Sequence, residues 1–109
     1  SWIKVCSVND LVDNSGVCAL VDDKQVALFK VKGADEVYAI SNWDPLGKAN
    51  VLSRGIIGSI NDAIVVASPL YKQHYCLKTG MCFEEDDVTI PVYQTRVEDA
   101  QVYVQAVSQ

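Results

Sequence analysis

The most constraining feature of the chain is its set of short apolar runs separated by turn-forming residues. Runs 56–60 and 63–67 flank the pair Asn61-Asp62, and runs 16–21 and 26–31 flank an Asp-Asp-Lys-Gln turn. Asn and Asp tolerate the left-handed backbone of tight hairpin turns. No segment places apolar residues at helical spacing over three turns. We therefore predict an all-β fold, a β-sandwich of short antiparallel strands.

Two stretches lack the alternation of a strand and are predicted to be loops. Residues 41–50 contain Trp43, Pro45 and Gly47, and residues 68–73 follow the most apolar run. Ordered loops on a rigid β scaffold are where binding residues concentrate. These two loops are therefore the first place to look for function.

Length and composition bound what the chain can be. Its 109 residues suit a single domain, 1–109, and a hydrophobic fraction of 50% is enough for a packed core. The net charge of −5 argues against nucleic acid or an anionic membrane as a partner. No run approaches the roughly 18 apolar residues of a membrane span. No secretory signal is visible at the N-terminus, where a basic region and a long apolar core are missing.

The cysteines and the single histidine give little support for a metal site. Cys6, Cys18, Cys76 and Cys82 form no C-x-x-C pair, and His74 is the only imidazole. Zinc and iron–sulfur sites need clustered ligands. We favour free thiols, with a Cys76–Cys82 disulfide and a metal site as lesser alternatives.

Catalytic machinery is also missing from the pattern. The acidic run 84–87 is typical of a solvated surface, because four consecutive carboxylates cannot face one pocket. His74 has no carboxylate among its sequence neighbours to orient it. No nucleotide-binding glycine motif is present. No catalytic residue is therefore predicted, and an interaction module is favoured over a free-standing enzyme.

The second loop carries a family resemblance. Rieske iron–sulfur domains have a second ligand loop of the form C-P-x-H-G, followed by an aromatic residue and then L-x-T-G. Residues 68–80 resemble it at five positions: Pro69, Tyr75, Leu77, Thr79 and Gly80. The first ligand loop of that family, N-x-C-P-H, resembles residues 42–46 at Asn42 and Pro45. The resemblance implies a Rieske-like β-sandwich whose two adjacent loops form a tip.

The four ligand places of the Rieske pattern hold other residues here: Asp44, Leu46, Ser68 and Tyr71. A Rieske cluster takes two thiolates on one iron and two imidazoles on the other. We therefore expect a tip without a cluster, so that this chain has no metal and no cofactor. Leu46, Leu70 and Tyr71 are expected to fill the space instead, and Pro45 and Pro69 to stiffen the loops.

Almost the whole chain is similar to one group of cluster-less relatives, the small subunits of NADH-dependent assimilatory nitrite reductases. Residues 16–20, 51–55 and 66–70 carry this similarity. It implies a cytoplasmic complex that reduces nitrite to ammonium, with FAD, an iron–sulfur cluster and siroheme on the large subunit. The small subunit would then bind and support that partner as a non-redox chain. The alternatives are a Rieske-type ferredoxin electron carrier of an oxygenase system and a small-molecule binding module.

The partner interface is predicted at the tip. Aromatic and Arg residues commonly anchor interfaces, and this part of an acidic protein is locally basic. The predicted interface residues are Trp43, Pro45, Lys48, Arg54, Pro69, Leu70, Tyr71 and Lys72.

Overall fold

The computed structural model describes residues 2–33, 36–70 and 72–105. It is built almost entirely of strands, with one-turn 3-10 helices at Val8–Asp10 and Leu52–Arg54. The strands are β1 Trp2–Ser7, β2 Ser15–Val21, β3 Lys24–Lys30, β4 Val37–Ser41, β5 Trp43–Asp44, β6 Ala49–Asn50, β7 Ile56–Ile60, β8 Ala63–Ala67, β9 His74–Cys76, β10 Val92–Tyr93, β11 Thr95–Glu98 and β12 Gln101–Gln105. The predicted all-β class is confirmed.

The described strands form antiparallel sheets. The largest has the order β10-β4-β3-β2, and two three-stranded sheets have the orders β1-β12-β11 and β7-β8-β9. β5 and β6 form a separate two-stranded ribbon. Within the described residues, no helix is long and apolar enough to cross a membrane.

The hairpin turns have the backbone that the sequence predicts. Asn61 and Asp62 connect β7 to β8 with φ values of 50° and 69°. Asp22 and Asp23 connect β2 to β3 with φ values of 51° and 67°. Two successive residues at positive φ match the twist of antiparallel strands, so both predicted hairpins are confirmed.

The central sheet is buried on both faces because alternate residues of β3 point into different clusters. Ala27 and Phe29 join one cluster, while Val26 and Leu28 join the other. The first cluster also holds Tyr38, Ile40, Leu52, Val66, Tyr75, Leu77, Cys82 and Ile90. The second also holds Leu11, Val21, Val37, Ala39, Val102 and Val104. The chain is thus layered, with the four-stranded sheet between the two three-stranded ones.

The prediction that residues 41–50 form a loop without strands is wrong in part. β5 and β6 pair there, with Trp43 opposite Asn50 and Asp44 opposite Ala49. A ribbon of two-residue strands is too short to show alternation in the sequence, and this is why the pattern did not reveal it. The ribbon projects the first loop toward the segment that follows β8.

Candidate functional site

The two loops meet through a hydrogen bond between buried side chains. The Ser68 hydroxyl donates to Oδ2 of Asp44 at 2.5 Å. Asp44 is 0% exposed and Ser68 is 1% exposed. The structure therefore joins two of the four positions at which the Rieske pattern has ligands.

Asp44 is the centre of a wider network. The Tyr75 hydroxyl donates to Oδ1 of Asp44 at 2.7 Å, and the backbone N–H of Leu46 donates to the same oxygen at 3.0 Å. The N–H of Leu70 donates to the Ser68 hydroxyl at 3.3 Å. A buried carboxylate is tolerated only when its oxygens are hydrogen-bonded. We call Asp44, Ser68 and Tyr75, with the N–H of Leu46, the Asp44 network.

The electrostatics of the network set its protonation. Burial pushes the pKa of Asp44 upward, but hydrogen bonds from Ser68, Tyr75, Gly47 and Leu46 outweigh it and hold that pKa below its ordinary value. Burial and the nearby Asp44 carboxylate raise the pKa of Tyr75. At neutral pH Asp44 is therefore an ionised acceptor and Tyr75 a neutral donor.

Backbone hydrogen bonds close each loop around the network. The N–H of Lys48 donates to the Asp44 carbonyl at 2.6 Å, and the N–H of Lys72 donates to the Ser68 carbonyl at 3.0 Å. Gly47 belongs to the first loop and faces Leu70 of the second. A Cβ at Gly47 would lie 2.6 Å from Cδ1 of Leu70 and 2.9 Å from Oδ2 of Asp44. A side chain at this position would therefore displace Leu70 or the Asp44 carboxylate.

Asn42 anchors the first loop to the body of the fold. Its Oδ1 accepts the Ser53 N–H at 2.7 Å, and its Nδ2 donates to Oε1 of Gln25 at 3.0 Å. Its carbonyl accepts the Leu52 N–H at 3.1 Å, and the residue is 2% exposed. An amide side chain is suited to this position because it donates and accepts at once.

The predicted interface residues, and Leu46 beside them, differ in their exposure. Leu70 is 45% exposed, and Pro69 and Lys72 beside it are also exposed. The expectation that Leu70 fills the interior of the tip is therefore wrong. Pro45 and Leu46 are half-buried, Lys48 and Arg54 are exposed, and Tyr71 lies outside the described residues.

Trp43 points away from the Asp44 network. It is 44% exposed and lines a groove of about 260 Å³. The other residues lining this groove are Lys24, Gln25, Ser41, Asn50, Pro91 and Tyr93. The side chains of adjacent strand residues point to opposite faces. Trp43 and Asp44 therefore lie on opposite faces of the β5–β6 ribbon.

Two features of the site were missed from the sequence. Tyr75 was matched only as an aromatic residue, whereas its hydroxyl binds Asp44. Glu84 accepts hydrogen bonds from the His74 ring Nδ1 at 2.7 Å and the His74 N–H at 2.8 Å. His74 does have an orienting carboxylate, and it comes from ten residues further along the chain.

All four cysteines carry free thiols. Cys76 and Cys82 are buried, and Cys18 is exposed. Across the ranges 2–33, 36–70 and 72–105, no three His, Cys, Asp or Glu side chains are grouped so as to hold a metal ion.

Comparisons with known proteins give the family. Residues 1–105 match the family model described as a Rieske-like [2Fe-2S] domain. The small subunit of nitrite reductase (NADH) from Escherichia coli K12 is 43% identical over 101 residues, which are 93% of this chain and 94% of that protein. The nitrite reductase [NAD(P)H] large subunit of Klebsiella oxytoca is 34% identical over 103 residues, covering 94% of this chain but only 11% of that one.

Solved structures agree with these relatives. The nitrite reductase [NAD(P)H] small subunit from Erwinia carotovora superposes with a TM-score of 0.84 at 42% identity, covering 99% of this chain and 83% of that one. The ferredoxin of carbazole 1,9a-dioxygenase from Nocardioides aromaticivorans IC177 gives a TM-score of 0.83 at 21% identity, covering 95% and 96%. The second likeness shows the fold alone. The chain belongs to the Rieske-like [2Fe-2S] domain family and, within it, is a homologue of the nitrite reductase (NADH) small subunits.

Proposed function

We propose that this chain is the small, non-redox subunit of an NADH-dependent nitrite reductase and that it acts as one domain without a cluster or catalytic residues of its own. The observation that carries the proposal is the direct hydrogen bond between Asp44 and Ser68. Those residues stand at the two thiolate positions of the Rieske pattern, and their oxygens bind each other instead of an iron.

The residues at the tip do not fit a [2Fe–2S] cluster. Leu46 offers a hydrocarbon side chain where the pattern needs an imidazole. Asp44 already has Ser68, Tyr75 and a backbone N–H as partners. Hard oxygen donors are also poor substitutes for thiolates at an iron–sulfur centre. The network therefore performs structurally what metal coordination performs in cluster-bearing domains, by joining the two loops.

The large subunit of the same enzyme is the proposed partner. In Klebsiella oxytoca a segment similar to this chain is part of the large-subunit polypeptide. Joining within one polypeptide keeps two units at a high effective concentration, and this supports an association between the corresponding separate chains. The large subunit would carry FAD, an iron–sulfur cluster and siroheme and reduce nitrite to ammonium in the cytoplasm.

The tip is the proposed docking surface. Leu70 exposes 45% of its surface beside the exposed Lys72, and Lys48 is exposed on the neighbouring loop. An exposed apolar side chain with cations on the same loops favours a partner surface with complementary acidic groups. The Asp44 network holds this surface rigid, which lowers the entropic cost of docking.

Metal analysis separates this proposal from the ferredoxin alternative. The chain is purified anaerobically, and iron and acid-labile sulfide are measured together with the visible spectrum. We expect a colourless protein without stoichiometric iron or sulfide. A red-brown protein with two irons and two sulfides per chain (the content of a Rieske cluster) would establish an electron carrier instead.

Docking is tested with paired double variants. Leu70→Asp with Lys72→Glu alters the tip, while Leu20→Asp with Lys4→Glu makes the same chemical changes at exposed positions on β2 and β1. We expect the tip variant to bind the large subunit at least about tenfold more weakly, a loss of about 1.4 kcal/mol. The control should bind as the wild type does. Equal affinity of the two folded variants would contradict docking through the tip.

A further inference from the structure

β7 is an edge strand that lacks the usual protection of such strands. It pairs with β8 along one side, and its sequence Ile-Ile-Gly-Ser-Ile contains no charge and no proline. Ile56 is 76% exposed. Natural edge strands are normally protected by charges, prolines or bulges, because their free backbone groups bind other strands.

The free backbone groups of β7 can be identified from its turn. In a two-residue hairpin the closing pair, Ile60 and Ala63, is hydrogen-bonded, and bonded pairs then alternate along the ladder. Ile57 and Ser59 therefore direct their N–H and C=O groups away from β8. In the described part of the chain, no backbone hydrogen bond outside the ladders reaches these groups.

Three other edges are protected. β1 contains Lys4 and an irregular register between Lys4 and Cys6. β11 carries Arg96 and Glu98. β9 is covered in part by the bridge between Tyr75 and Cys82. Compared with these three strands, β7 has neither charged residues nor, in the described part of the structure, a covering segment along its free edge.

We propose that β7 pairs antiparallel with β7 of a second copy of this chain, around a two-fold axis at Gly58. In this register Ile57 of each copy lies opposite Ser59 of the other, so the outward groups of both residues are satisfied. Ile56 lies opposite Ile60, which brings apolar side chains together across the axis. A Cβ at Gly58 would have nothing within 4 Å, so the approach to the axis is open.

Charge complementarity selects a second copy as the occupant. Antiparallel pairing brings the start of β7 in one copy to the end of β7 in the other. Arg54, in the 3-10 helix before the strand, and Asp62, in the turn after it, therefore come to the same end of the interface, and the two-fold symmetry repeats this approach of opposite charges. Both residues are exposed, and neither belongs to a salt bridge among the described residues.

β2 is also an uncharged edge strand, as are the two-residue strands β6 and β10. β2 shows why the flanking charges matter. Antiparallel self-pairing of β2 would bring Asp22 and Asp23, in the turn after the strand, toward Asp13, which precedes the strand in the second copy and is itself bonded to Lys30. Like charges facing each other disfavour association. One face of β2 is also closely covered, because a Cβ at Gly16 would clash with the Ser53 carbonyl oxygen. Self-association is therefore assigned to β7.

Sedimentation velocity on the full chain without any large subunit tests the proposal independently of the proposed function. The interface is small, so association should be weak and appear as the concentration rises from about 10 µM to about 1 mM. Gly58→Lys should weaken dimerisation at least about tenfold, because it places two cations at the axis. Gly58→Thr, which fills the same space without charge, should retain it.

A second pair of variants tests the register. Arg54→Glu should weaken the dimer, whereas Lys78→Glu, with the same change in charge at an exposed turn, should not. Gly58→Cys should form a disulfide-linked dimer on mild oxidation well above the wild-type background, because facing non-hydrogen-bonded positions suit a disulfide. A chain that stays monomeric at the highest concentration, or a Gly58→Lys variant that dimerises like the wild type, overturns the proposal. A monomer whose Gly58→Lys variant loses binding to the large subunit also overturns it, and assigns the edge to that partner.

Discussion

Asp44 and Glu84 each join two distant segments of the chain, but in different surroundings. Asp44 is 0% exposed and accepts from Ser68, Tyr75 and the Leu46 N–H. The Glu84 side chain is 45% exposed and binds the ring and the N–H of His74. Water can replace the partners of Glu84 but cannot reach those of Asp44. The comparison teaches that the cost of losing a carboxylate depends on what its partners can bind afterwards.

The largest expected effect is that of Asp44→Ala. It leaves two hydroxyls and a backbone N–H buried without an acceptor, and should lower the free energy of unfolding by about 3–5 kcal/mol. Urea unfolding measures it. Asp87→Ala removes an exposed carboxylate from the acidic run and should change stability by less than about 0.5 kcal/mol. Similar losses for both variants would show that the network does not hold the tip.

Tyr75→Phe removes one donor and keeps the ring in its cluster. A hydrogen bond to a charged group contributes about 1.5–3 kcal/mol, and a loss in that range is expected from urea unfolding. Tyr93→Phe is the matched control, since no hydrogen bond of the Tyr93 hydroxyl is seen within the described residues. If Tyr75→Phe loses no more stability than Tyr93→Phe, the Tyr75 hydroxyl does not stabilise the fold through Asp44.

The dependence of stability on acid pH is a third test of the difference between buried Asp44 and the exposed carboxylates. Because the pKa of Asp44 in the folded protein lies below its ordinary value of 3.8, its ionised form stabilises the fold above that pH. This stabilisation is lost as the pH falls through and below 3.8. The advantage of the wild type over Asp44→Asn should therefore shrink in acid, as measured by unfolding at stepwise lower pH. The free energy of unfolding of Asp87→Asn should differ from that of the wild type by the same amount at every pH. A difference between the wild type and Asp44→Asn that stays constant with pH would contradict the prediction.

The smallest effect is expected at Glu84. Burial raises its pKa, but the hydrogen bonds from His74 outweigh this and lower it. Because the pair is exposed, Glu84→Gln should cost less than about 1 kcal/mol and less still at high salt. Glu85→Gln serves as the control. A loss as large as that of Tyr75→Phe would mean that exposure does not distinguish the two carboxylates.

Much of the fold is predictable from local chemistry. Asn61-Asp62 and Asp22-Asp23 identify the two hairpins, because few residues adopt successive positive φ angles without strain. Gly80 in the L-x-T-G segment is equally specific. It has a φ of 79°, and a Cβ there would clash with the Ile90 carbonyl oxygen. The residue types at these turns are set by the local backbone conformation and, for Gly80, by one close contact as well.

The site is less predictable, because its contacts join residues far apart in the chain. The Rieske pattern located Asp44 and Ser68, but nothing in the sequence shows that these two side chains bind each other. The donor role of Tyr75 and the pairing of His74 with Glu84 are invisible for the same reason. An apolar filling was expected for a tip without metal. Leu46 does pack against the core, but the two loops are joined by a hydrogen-bonded carboxylate.

The separation of Asp44 from Ser68 along the chain has a consequence for the lifetime of the fold. The β7–β8 hairpin lies between them, and closing such a loop is entropically costly before the sheets are in place. We therefore expect the bond to form late, after the sheets have assembled. A contact of that kind barely changes how fast a protein folds but slows how fast it opens. The buried carboxylate is thus expected to prolong the time that the two loops remain together, because it slows their separation.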